Sequence, residues 1–100
     1  MLRHVIMWTL KDTLSASEKK SVKKDAKEQL EGLLGRVPSL RGISVNIAPL
    51  PTSNCDMMLV ASFDNARGLE DYSKHAAHVE VANSYVRPYV ETRVCFDYTV

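Results

Sequence analysis

The sequence predicts an α+β fold in which one four-stranded antiparallel sheet carries helices on one face. Three observations lead there. Four short segments are rich in β-branched and aromatic residues, which suit a pleated, half-buried surface. Two further segments place apolar residues three and four apart, the period of a helix. The two kinds follow one another as strand, helix, strand, strand, helix, strand, with no repeat or linker between them. The 100 residues are 45% hydrophobic and 25% charged. That length and balance fit a single domain spanning 1–100 with one buried core.

Residues 2–10, LRHVIMWTL, read as the first strand. Alternate side chains of a strand point to opposite faces. His4, Ile6, Trp8 and Leu10 therefore share one face, and Arg3, Val5, Met7 and Thr9 share the other. Ser15 stands three residues before Glu18, the capping-box spacing that satisfies two free N–H groups at a helix start. Val22, Ala26, Leu30, Leu33, Leu34 and Val37 continue as one apolar stripe. Gly35 suits its C-terminal turn, and Pro38 blocks continuation. Lys19, Lys20, Lys23, Lys24 and Lys27 lie on the other side, interleaved with acidic residues, and read as a solvated face.

Residues 42–49, GISVNIAP, form the second strand, and residues 57–63, MMLVASF, the third. Pro49, Pro51, Ser53 and Asn54 make the loop between them. Asp64 or Asn65 caps a helix ending near Tyr72 or Ser73. A further short helix is expected over 76–84, and Pro88 interrupts the chain after it. Residues 91–99, ETRVCFDYT, form the last strand, with Val94, Phe96 and Tyr98 on one face and Arg93 and Cys95 on the other. This order is the ferredoxin-like β-α-β-β-α-β arrangement. Its helices cover one sheet face only. Val5, Met7, Val94, Phe96 and Tyr98 make the opposite face apolar as well, and a surface of that kind calls for a cover. A second copy is the simplest one, giving a homodimeric eight-stranded α+β barrel.

Several function classes drop out. A net charge of +1 gives no electrostatic basis for nucleic acid or a membrane surface as partner. No apolar run approaches the roughly 20 residues of a membrane span. The opening Met1-Leu2-Arg3-His4 lacks a signal-peptide cleavage site, so a cytoplasmic location is expected. Cys55 and Cys95 show no metal-ligand spacing and are expected as free thiols.

The densest polar cluster is Tyr72-Ser73-Lys74-His75-Ala76-Ala77-His78. With His4 on the first strand, it holds every histidine in the chain. His4, Tyr72 and His78 are expected to meet at the rim of a cavity between sheet and helices. An imidazole can take a proton near neutral pH. A phenol that stays protonated can donate to a developing oxyanion. Together they suffice for proton abstraction beside a carbonyl. The same residues also suit a structural role, with one histidine capping a helix and the other packing beside a core tyrosine. His75 and His78 alone, three residues apart, are a weak zinc signal.

The opening Arg3-His4-Val5-Ile6-Met7-Trp8 with Leu10-Lys11-Asp12, the segment Asp71-Tyr72 through His75-Ala76-Ala77-His78, and the closing Phe96-Asp97-Tyr98 resemble the stress-responsive A/B barrel family, often called Dabb. The resemblance spans nearly the whole chain. It implies a ferredoxin-like fold and a homodimeric barrel. It also implies, from a plant member that closes a polyketide ring without metal or cofactor, His78 as base and Tyr72 as oxyanion donor. His4 and His75 match two further histidines of that member. On this basis the site is expected to hold catalytic His78 and Tyr72, with His4, Ile6, Trp8, Leu59, His75 and Arg93 as ligand contacts. Arg93 either pairs with an anionic ligand group or extends outward at the strand end.

The chain has Ala76 where the family usually has proline. It offers Val22 and Ala26 where the plant enzyme turns aromatics toward its pocket, so the cavity is either wider or closed by a nearer helix. No cofactor is predicted. No metal is predicted either, because Val37 to Leu40 offer only backbone carbonyls at the loop where some relatives hold magnesium. The functions that remain are a small-molecule binder or cofactor-free cyclase or isomerase acting on an apolar carbonyl or aromatic compound, a cofactor-free monooxygenase, and a non-enzymatic stress-related protein whose dimer is the working unit.

Overall fold

The computed structural model describes residues 1–100. Its elements run β1 (Leu2–Leu10), α1 (Ala16–Glu31), β2 (Gly42–Asn46), β3 (Met57–Phe63), α2 (Ala66–Lys74), α3 (Ala76–Val81) and β4 (Val90–Thr99). The strands form one antiparallel sheet in the order β2-β3-β1-β4. The ferredoxin-like fold is thus the one the sequence predicts.

The alternation along β1 is realised in full. Ile6, Trp8 and Leu10 turn to the helices and are buried, and His4 beside them is 8% exposed. Val45 of β2 and Met57, Leu59, Ala61 and Phe63 of β3 join the same face. Against them pack Val22, Ala26 and Leu30 from α1, Tyr72 from α2 and Val81 from α3. On the opposite face Val94, Phe96 and Tyr98 are exposed.

The capping box forms as expected. Ser15 Oγ accepts from the Glu18 N–H at 3.1 Å, and the Ser15 N–H donates to Glu18 Oε1 at 2.8 Å. The far end of α1 differs from expectation. The helix stops at Glu31, with Gly32 as its cap, short of the expected end at Gly35. Turns over 32–40 still bury Leu33, Val37 and Leu40, while Leu34 faces outward. The apolar spacing continues past the helix because the same side chains plug the core from a turn. Gly35 has φ 90° within these turns, a left-handed conformation that favours glycine.

Strand β2 is also shorter than expected, ending at Asn46 and not at Pro49. Asn46 Oδ1 accepts from the Ala48 N–H at 3.0 Å, a side-chain turn that draws the backbone away from the sheet. The outer edge of β2 is closed by α1. Glu31 Oε2 accepts from the Val45 N–H at 2.9 Å, and Lys27 Nζ donates to the Val45 carbonyl at 2.6 Å and to Glu31 Oε2 at 2.8 Å. After α3 the chain widens into a π turn over Ala82–Val86 and a single tight turn over Arg87–Tyr89 containing Pro88. This replaces the regular helix expected to 84.

Candidate functional site

A small cavity of about 70 Å³ lies between the sheet and the helices. Strand β1 lends it His4, Ile6 and Trp8, β3 lends Leu59, and β4 lends Arg93. Tyr72 comes from α2, His78 from α3, Leu30 from α1, and Ala82, Val86 and Arg87 from the wide turn. The sequence thus brings seven predicted residues into one wall: His4, Ile6, Trp8, Leu59, Tyr72, His78 and Arg93.

His75 is not among them. It sits between α2 and α3, where its Nδ1 accepts from the Ala77 N–H at 3.1 Å. The ring caps α3 in place of the usual serine or aspartate, so it turns away from the cavity and toward Pro38, Ser39 and Asp71. The expected ligand contact through His75 is therefore corrected to a helix cap. Val22 and Ala26 do not line the cavity either. Leu30, one turn later, is the α1 residue that does, and the space is narrow.

Three rings stand in a row that starts in the core at Phe63 and reaches the cavity at Tyr72 and His78. The Phe63 and Tyr72 centroids are 5.2 Å apart, and those of Tyr72 and His78 are 4.2 Å apart with 38° between their planes. Tyr72 is 2% exposed. Burial pushes its phenol up to about 12, because the ionised form loses its water. The hydroxyl therefore keeps its proton at any physiological pH and remains a donor.

His78 Nδ1 lies 3.3 Å from the Ser73 carbonyl oxygen. A carbonyl can only accept, so Nδ1 carries the hydrogen and Nε2 keeps a free lone pair. Burial holds the imidazole below its ordinary value. The Ser73 carbonyl acts in the opposite sense, and the neighbouring Arg87 and Arg93 guanidinium groups add to the lowering. His78 is thus neutral near pH 7 and able to accept a proton.

At the sheet edge His4 Nδ1 is 2.5 Å from Asp97 Oδ1, across the β1–β4 pairing in which the two residues are directly opposite. This bond fixes the His4 ring. Sequence reasoning missed Asp97 because only the strand register brings residues 93 apart together. It also missed Ala82, Val86 and Arg87. A signal was present for two of these, since Ala82 and Val86 follow His78 at steps of four and so share its helical side. Arg87 joins because the π turn opens the winding by one residue.

Comparisons with known proteins bear on the family and the fold. The family model described as Stress responsive A/B Barrel Domain matches residues 2–100. Comparison with curated proteins finds no match. Among solved structures, a dimeric protein of unknown function with a ferredoxin-like fold from Bacteroides fragilis is 27% identical, with a TM-score of 0.93 over 99% of this chain and 95% of that one. A Dabb family protein with a ferredoxin-like fold from Mesorhizobium loti is 22% identical, with a TM-score of 0.74 over 99% of this chain and 95% of that one. The hydroxynitrile lyase of Passiflora edulis shares the fold at 15% identity, with a TM-score of 0.75 over 99% of this chain and 92% of its own.

Proposed function

Because the chain belongs to the stress-responsive A/B barrel family, we propose that it works as a homodimer and moves a proton on a small carbonyl compound held between sheet and helices. The observation that carries this reading is the Tyr72–His78 pair, 4.2 Å apart at one cavity wall. His78 Nε2 takes a proton from the carbon next to the carbonyl. The Tyr72 hydroxyl donates to the carbonyl oxygen as it becomes an enolate. The enolate carbon then attacks a second carbonyl of the same molecule, whose π pair moves to its oxygen and takes the proton from His78, which closes a ring; return of that proton at a different carbon isomerises the substrate. Ile6, Trp8, Leu59 and Val86 take up the apolar part of the ligand. Arg93 and Arg87, neither of which is ion-paired to a carboxylate, suit an anionic end.

The homodimer is proposed through the open sheet face of Val5, Met7, Val94, Phe96 and Tyr98. The exposure of Phe96, 66%, and of Val94, 57%, supports it, as do the dimeric neighbours of the same fold.

The test is hydrogen–deuterium exchange at the carbon beside the carbonyl of a small aromatic ketone, followed by NMR in heavy water. The wild-type protein is expected to catalyse exchange. His78→Ala is expected to lower the rate by roughly 10²–10⁴-fold, and Tyr72→Phe by roughly 10²–10³-fold.

One observation favours a second reading. The cavity, at about 70 Å³, is far smaller than the ~300–1,000 Å³ of ordinary ligand sites. In that reading the interior is filled, no ketone exchanges, and the dimer itself is the non-enzymatic working unit. Unchanged exchange in both variants, or no binding of any ketone, selects it.

A further inference from the structure

Strand pairing assembles a second constellation that linear spacing does not reveal. Cys95 and Asp97 are two apart on β4, so their side chains leave the same face. The antiparallel register sets His4 opposite Asp97 and Ile6 opposite Cys95. Three ligating groups of different kinds thus converge at the sheet edge. Cys95 Sγ is 3.7 Å from His4 Nδ1 and 3.5 Å from Asp97 Oδ1, and the latter two atoms are 2.5 Å apart.

A tetrahedral zinc ion has ligand distances of about 2.3 Å to sulfur and about 2.0–2.2 Å to nitrogen and oxygen. Those lengths require edges of about 3.6 Å between sulfur and nitrogen, about 3.5 Å between sulfur and oxygen, and about 3.3 Å between nitrogen and oxygen. Both edges from Cys95 already have these lengths. Only the His4–Asp97 edge must open, by about 0.8 Å on the same geometry. Asp97 has the freedom to supply that movement, since its side chain is 39% exposed at an edge strand, whereas His4 is held in place at 11%.

We propose that His4, Cys95 and Asp97 form a site for a thiophilic divalent ion such as zinc, with three protein ligands and a fourth position open to water or ligand. Binding breaks the His4–Asp97 hydrogen bond, and the imidazole proton moves to Nε2. The Cys95 thiol releases its proton to solvent and enters the site as thiolate. The thiolate and the carboxylate balance the charge of the ion. Mixed sulfur, nitrogen and oxygen ligation selects zinc or cobalt over magnesium and calcium, which prefer oxygen alone. The site adjoins the cavity, because His4 belongs to both.

Cobalt is the probe, since a Co–thiolate bond gives a charge-transfer band in the near ultraviolet that a histidine–carboxylate site lacks. Titration of the metal-stripped protein with Co²⁺ is expected to give this band, saturating at one ion per chain and removed by Zn²⁺. Cys95→Ser is expected to abolish it, and Cys55→Ser to leave it unchanged. Asp97→Ala is expected to weaken binding by at least roughly tenfold. Cys95 lies exposed on an edge strand, so Cys95→Ser keeps the fold, and an unchanged thermal transition verifies this. Absence of the band in the wild-type protein, or its survival in Cys95→Ser, overturns the proposal.

Discussion

At the scale of single residues, His78 and Tyr72 are two groups whose environments push them toward opposite tasks. Burial lowers the imidazole and raises the phenol, so one becomes a free base and the other a permanent donor. Each shift has a signature in stability. His78 is harder to protonate in the folded chain than in the unfolded one, whose reference value is about 6.5. Its contribution is present above that pH and is lost as pH falls toward the lower folded value. Tyr72 is harder to ionise, so its contribution is present below its unfolded value near 10 and is lost as pH rises toward about 12. The thermal transition is therefore expected to fall below pH 6.5, and His78→Gln to flatten that slope. Ultraviolet titration of the native protein is expected to leave one tyrosine un-ionised until about 12, and Tyr72→Phe to remove it. Phe63, wholly buried beside Tyr72, fixes the row of rings. Phe63→Ala is expected to cost about 3–5 kcal/mol in urea unfolding.

At the scale of elements, α1 stabilises the sheet through a backbone position as well as through its apolar stripe. Val45 is buried, and its N–H depends on the Glu31 carboxylate. Glu31→Ala removes that acceptor and the partner of Lys27, and is expected to cost about 1–3 kcal/mol in denaturant unfolding. Glu31 also shows why element boundaries were less legible than element order. The apolar stripe from Val22 to Val37 was readable, and every member except Leu34 is buried, yet the helix itself stops before Leu33. Periodicity reports which side chains reach the core, and a turn satisfies it as well as a helix does. Asn46 ended β2 through a local side-chain bond that its β-rich neighbours Val45 and Ile47 concealed. His75 is a ligand contact only by the family resemblance, whereas the capping role that the same residues also suit is the one its position before α3 realises.

At the scale of the whole molecule, the two-faced sheet was readable from alternation, because each strand face repeats every second residue. The cavity was readable in its β1, α2 and α3 walls. Its Asp97 neighbour was not, since pairing between the first and last strands is a property of topology. The open face is where the whole-molecule prediction lies. Phe96→Glu places a charge on the apolar surface without touching the buried core. It is expected to shift the protein from dimer to monomer in sedimentation equilibrium while the monomer keeps its helical circular dichroism.

The bonds from Lys27 and Glu31 to Val45 have a bearing on growth as well. A β-sheet recruits further copies along an unpaired edge, and a fibre needs two such edges per molecule so that each addition leaves a new one. Here the outward backbone groups at the middle of β2 are already occupied by side chains. Edge addition has only β4 left, and two copies joined there present no further edge. Strand addition at β2 is thereby obstructed, and Lys27→Ala with Glu31→Ala is expected to raise fibril formation, read as thioflavin fluorescence on prolonged incubation.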